Sequence, residues 1–96
     1  MPRLIITKPA ERQLENIAEW TLKNWGETQV EMYKHDLNMG LMNILEHPRI
    51  GQDVSDLKAG LRKLPVEEHF IYYELKDDAV IIHAFLHGRQ NPENHL

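Results

Sequence analysis

The chain reads as an α+β fold of order β-α-α-β-β-β, with a helical hairpin packed on one face of a small antiparallel-type sheet. Three observations carry this. Residues 61–87 hold three β-rich runs joined by short polar links, as in a meander. Residues 9–47 carry apolar residues at helical spacing, interrupted only at Gly26. Residues 3–7 form one short apolar run ahead of the helices. The expected layout is strand 3–7, helical hairpin 9–47, loop 48–60, meander 61–87 and tail 88–96, all in one domain of 96 residues.

The first strand has Leu4, Ile5 and Ile6 in succession, which predicts burial on both of its faces. Pro9 suits the first turn of a helix, where a missing N–H costs nothing. Glu11 and Glu15 favour that helix's N-terminal dipole end. Leu14, Ile17, Ala18, Thr21 and Trp25 fall on one face. Trp20 and Trp25 are therefore expected to pack in the core and the hairpin. Gly26 ends this helix. A second helix follows from Glu27 to His47, with Val30, Tyr33, Leu37, Leu41, Ile44 and Leu45 as its stripe, and Pro48 stops it. The short connection makes the two helices antiparallel neighbours. Gly40, inside the second helix, costs about 1 kcal/mol against Ala, and close approach to a neighbour would account for it.

Residues 48–60 form a long loop in which Leu57 is expected to tuck under. Pro65 removes a ladder donor and places strand 61–66 at an edge. The run 79–87 is apolar on both sides, as a central strand is. Strict alternation groups Phe70 and Tyr72 on one face, and Ile81, His83, Phe85 and His87 on one face. One helical hairpin covers one face of a sheet. The other face, drawn from Phe70, Tyr72, Ile81, His83 and Phe85, is either a partner surface or the seat of loop 48–60. The polar tail from Gly88 is expected to fray or to be ordered by a partner.

Composition excludes several classes. There is no cysteine, so neither a disulfide framework nor a thiolate metal site exists. Net charge is −4, and both halves are acidic, with five Lys/Arg against seven Asp/Glu up to residue 48 and six against eight beyond it. That disfavours general nucleic-acid binding. The three-residue apolar run near the N-terminus is too short for a signal peptide or a membrane span, so a cytoplasmic protein is expected. His83 and His87 are four apart on a strand, about 13 Å, too far to share an ion; no metal and no cofactor are expected. No nucleophile elbow and no glycine-rich phosphate loop is present. Arg62, Lys63, His87 and Arg89 are the residues with chemical potential. Arg clamps phosphate oxygens and His serves as acid or base near neutrality. Equally, Arg62 caps loop carbonyls or pairs with Glu67 or Glu74, and Arg89 is solvated.

Taken in order, Pro9-Ala10 with Leu14 and Ile17, Asn24-Trp25-Gly26, His47-Pro48-Arg49-Ile50-Gly51, Gly60-Leu61-Arg62-Lys63-Leu64-Pro65, Phe70-Ile71-Tyr72-Tyr73 and Leu86-His87-Gly88-Arg89-Gln90 resemble the RelE/ParE superfamily of type II toxin–antitoxin toxins, on its ParE-like branch. The resemblance covers nearly the whole chain. It implies a bacterial toxin held inactive by a ParD- or Phd-like antitoxin that folds on binding, with a role of the plasmid-stabilisation kind. For ParE-like members it implies a poison of DNA gyrase with no catalytic residue of its own. The other branch cleaves mRNA in the ribosome; on that alternative Arg62, Glu67, His87 and Arg89 form the nuclease set. On the gyrase reading Arg62, Lys63, His87 and Arg89 contact the target, while Phe70, Tyr72, Ile81, His83 and Phe85 seat the antitoxin. Neither DNA-sequence recognition by this chain nor a membrane partner is expected.

Overall fold

A computed structural model describes residues 1–96. Strand β1 (Arg3–Ile6) leads into helix α1 (Lys8–Trp25) and helix α2 (Glu27–Glu46). Strands β2 (Gln52–Asp53), β3 (Arg62–Val66), β4 (His69–Lys76) and β5 (Ala79–His87) follow, and a 3-10 turn spans Pro92–Asn94. The sheet has five strands in the order β1-β5-β4-β3-β2.

Helix α1 is capped by Thr7, whose Oγ1 accepts from Ala10 N at 3.3 Å. The expected start at Pro9 overlooked this cap; Pro9 itself lies in the first turn. Gly26 closes α1, its N–H directed to the carbonyls of Leu22 and Thr21. Helix α2 then lays Leu37, Leu41 and Ile44 into a core shared with Ile71, Tyr73, Val80, Ile82 and Phe85. Gly40 is in this contact: a Cβ there would stand 2.8 Å from Val66 Cγ2, so only glycine lets α2 approach β3 this closely.

The sheet differs from the expected antiparallel type on one side. β1 pairs with β5 in parallel, Arg3 opposite Ala79 and Ile6 opposite Ile82. The long helical crossover between β1 and the later strands makes this possible. β1 is also an edge strand, with Leu4 and Ile5 each about two-fifths exposed, so burial on both faces does not occur. β5 is central, between β1 and β4. Beyond β3 lies only the two-residue β2, paired with Arg62 and Lys63, so Pro65 faces no ladder on that side.

A bulge in β5 overturns the simple alternation. Tyr72 pairs with Ala84 and Tyr73 with Ile82, leaving His83 without an opposite residue. After His83 the strand's facing is inverted. Phe85 therefore turns to the helical side, opposite Ile71, and is 1% exposed. Leu86 and Ala84 turn to the other side and join Val54, Leu61 and Tyr72 in a second buried cluster, flanked by Leu57 and Phe70. Loop 48–60 thus covers much of the second face, and it contributes the short strand β2 that the sequence did not suggest. The tail is also ordered locally: Asn91 Oδ1 accepts from Glu93 N at 3.1 Å and caps the 3-10 turn.

Candidate functional site

The five residues expected to form an exposed apolar face are not one face. Phe85 lies in the helical core and Tyr72 is buried under the loop. Phe70 is half-buried, with Lys63 Nζ 4.5 Å from its ring centroid. Ile81 and His83 are half-buried on the loop side. His83 Nε2 donates to Glu74 Oε1 at 2.7 Å, and Lys58 Nζ lies 3.7 Å from the same oxygen. Burial pushes the Glu74 carboxyl up, but the bond to His83 and the neighbouring cations outweigh it and hold the group below its usual range. This trio ties loop residue Lys58 to the sheet.

The expected target-binding and nuclease residues are also dispersed. Arg62 Nη1 donates to Gly51 O at 2.7 Å and Arg49 O at 3.2 Å, so its guanidinium braces the loop after α2. Tyr73 completes that brace: its hydroxyl donates to Pro48 O and accepts from Gly51 N, both at 2.8 Å. His87 stands at the far end of the sheet. Arg62 is opposite Tyr73, whereas His87 is opposite His69, itself paired with Val66. Four strand residues separate the two positions along β3, about 13 Å. Arg89 is exposed, and its backbone N–H donates to His87 Nδ1 at 3.1 Å. Glu67 sits in the β3–β4 turn at φ 54°, next to Asp36 of α2 rather than near Arg62. The hydrogen bond and the charge of Asp36 hold the Glu67 carboxyl above its usual range.

What the sequence reading missed is a groove on the helical side. Trp20 and Trp25 are not core residues; they are 61% and 69% exposed. Helical spacing placed Trp25 with the buried stripe, but as the last residue of α1 it is left largely exposed. With Met32, itself 56% exposed, the two indoles line an open groove of about 370 Å³ whose other wall is Tyr33, Asp36, Glu67, Glu68 and His69. The groove continues past Trp20, Glu68 and His69 to Gln13, Asn16, Phe85, His87 and Gln90. It therefore runs from the hairpin tip to the end of β5.

Three rings line its floor. Tyr33 and His69 meet edge-on at 5.4 Å between centroids, and His69 and His87 at 5.3 Å. Burial, reinforced by the neighbouring His87, holds His69 below the ordinary histidine range. Burial, and to a lesser degree the charge of Glu67, pushes the Tyr33 hydroxyl up to about 12. Tyr33 Oη and His69 Nδ1 are both buried and have no hydrogen-bond partner. The groove thus combines exposed tryptophans, three acidic residues and two buried polar atoms without a partner.

The comparisons with known proteins agree with the fold. The family described as the ParE toxin of the type II toxin–antitoxin system, parDE, matches residues 4–92. The chain belongs to the ParE toxin family. Toxin ParE1 of Mycobacterium tuberculosis is 28% identical over 95 residues, covering 98% of this chain and 97% of that protein. Toxin ParE1 of Caulobacter vibrioides is 30% identical over 91 residues, covering 95% and 94%. A solved chain from the chromosomal ParDE toxin–antitoxin system of P. aeruginosa superposes with a TM-score of 0.76 at 17% identity, over 91% of this chain and 96% of that one. The last likeness is one of fold. In this chain the two-helix hairpin on a five-stranded mixed sheet is the frame on which these side chains sit. No helix of the chain is long and apolar enough to cross a membrane.

Proposed function

We propose that this ParE-family toxin acts on DNA gyrase without acid–base catalysis of its own and is neutralised by an antitoxin seated in the tryptophan-lined groove. The observation that carries the non-catalytic reading is the dispersal of Arg62, Glu67, His87 and Arg89. Arg62 is committed to two loop carbonyls, and His87 stands about 13 Å further along the sheet. A ribonuclease needs its acid, base and phosphate clamp converging on one scissile bond. The net charge of −4 is also unfavourable for a chain that docks on ribosomal RNA.

A gyrase supercoiling assay tests this. With purified toxin, supercoiling is expected to fall and linear plasmid to accumulate. Full supercoiling activity in the presence of folded toxin would overturn the gyrase target.

The antitoxin's seat is supported by the exposed Trp20, Trp25 and Met32, which have no cover within the chain. A segment that folds on binding gains most from large aromatic anchors of this kind. Trp20→Ala is expected to leave thermal stability nearly unchanged, because the side chain is mostly in solvent. The same substitution is expected to weaken antitoxin binding by roughly 30-fold or more, the scale of a truncated hot spot. Titration calorimetry reads this directly, and unchanged affinity would move the seat elsewhere.

A further inference from the structure

The charged residues that line the groove between Trp25 and His69 are all acidic. Asp36, Glu67 and Glu68 accept hydrogen bonds when ionised; Glu68 Oε2 lies 3.5 Å from His87 Nε2, and Asp36 and Glu67 share a hydrogen bond that needs a proton on one of them. Tyr33 Oη has a free lone pair whether or not its proton is used. His69 Nδ1 accepts when the neutral ring carries its proton on Nε2, and burial favours that neutral ring. The same groove is lined by the exposed Trp20 and Trp25, and indole is the ring type that attracts cations best. No Lys or Arg of the chain lines the groove between Trp25 and His69. The carboxyls of Asp36 and Glu67 are instead pressed against each other, with no cation between them.

We propose that this groove recognises a lysine or arginine side chain of the bound antitoxin segment, its alkyl stem against Trp20, Trp25 and Met32 and its charged head against Asp36 and Glu67. The inference rests on the groove being the antitoxin's seat and adds the chemistry by which it selects. Lys and Arg heads have donors and no acceptor, which is the complement of a wall that offers acceptors. A cation between Asp36 and Glu67 also relieves the repulsion that sets them against each other. An acidic or neutral polar residue at that point leaves the carboxylates facing like charge or an unmatched dipole. The groove therefore discriminates by repulsion as well as by attraction.

The protein carries its own reporter. Its two tryptophans are both in this groove, so tryptophan emission, excited where tyrosine does not absorb, reports on the groove. The probes are N-hexylguanidinium and N-hexylurea, which share shape and stem and differ in charge. Each is titrated into the intact toxin and into the Asp36→Asn/Glu67→Gln double variant. The guanidinium is expected to perturb the tryptophan emission about tenfold more tightly than the urea in the natural protein. In the double variant the preference is expected to shrink to about twofold or less. Both substitutions are at groove-facing polar positions, and circular dichroism verifies that the variant is folded.

If both probes bind the natural protein equally, the groove is an apolar seat and the cation proposal is overturned while the seat survives. If the preference persists unchanged in the double variant, the cation is held by other groups and the assignment to Asp36 and Glu67 is overturned. If neither probe perturbs Trp20 or Trp25, the groove does not take an alkyl cation. The proposal then fails, whatever antitoxin titrations with Trp20→Ala say of the seat.

Discussion

Tyr73 shows how one residue type fixes a long loop. Its ring is fully buried in the helical core, and its hydroxyl emerges where the chain leaves α2. There it holds Pro48 O and Gly51 N together, while Arg62 holds Gly51 O from the other side. Gly51 has no room for a side chain, since a Cβ would fall 2.6 Å from the Tyr73 hydroxyl and 2.9 Å from Lys63 O. Tyr73→Phe removes the hydroxyl and strands a backbone donor and acceptor in a buried place. The expected cost is about 1–3 kcal/mol, measured as a shift of the urea midpoint without change in slope. A loss within error would mean that water replaces the hydroxyl. None of this was legible as chemistry. The segment His47-Pro48-Arg49-Ile50-Gly51 stood out in the sequence only as part of a resemblance, although one of the two alternatives read for Arg62, capping of loop carbonyls, is what the structure shows.

At the scale of elements, what the sequence encodes by periodicity was readable and what it encodes by irregularity was not. Helical stripes and the β4–β5 hairpin follow from spacing, and so does the central place of β5. The bulge at His83 does not, because Ile82-His83-Ala84 holds no glycine or proline to mark it. That single extra residue sends Phe85 to the helices, and with it goes the expected exposed face. β2 was missed because two residues cannot show an alternation. The loop's hold on the sheet is partly electrostatic. Glu74 has a folded-state affinity for protons below its ordinary value, so its contribution is present above pH 4.5, the ordinary carboxyl value, and is lost as pH falls through the lower folded value. The natural protein is therefore expected to exceed Glu74→Gln in stability near neutrality, with the gap closing on acidification. Thermal melts of both proteins from pH 7 down to about pH 3 check the sign. A gap that widens towards acid would show that the tie to His83 and Lys58 does not stabilise the charged carboxylate.

For the whole molecule, the sheet and hairpin make one groove whose two ends differ in chemistry. One end lies between both helices and the β3–β4 turn, lined by Trp20, Trp25, Asp36 and Glu67. The other end is the end of β5, where the His87 N–H donates to Gln90 Oε1, the Arg89 N–H donates to His87 Nδ1, and the chain leads into the exposed Arg89. If the toxin works by binding gyrase, no proton passes through His87, and Arg89 offers only charge and hydrogen bonds. His87→Ala and Arg89→Ala are each expected to weaken growth arrest by less than about tenfold in the dose of toxin needed, as rim contacts do. Loss of an acid–base group from a nuclease would instead remove about 10²–10⁴ of its rate. Titrated expression of each variant, with melting curves to establish folding, separates the two scales. Growth arrest abolished by His87→Ala in a folded protein would contradict the binding mechanism and return the search to ribosomal mRNA. Partial weakening by Arg89→Ala with His87→Ala nearly silent would put the gyrase contact on the charged tail beyond β5.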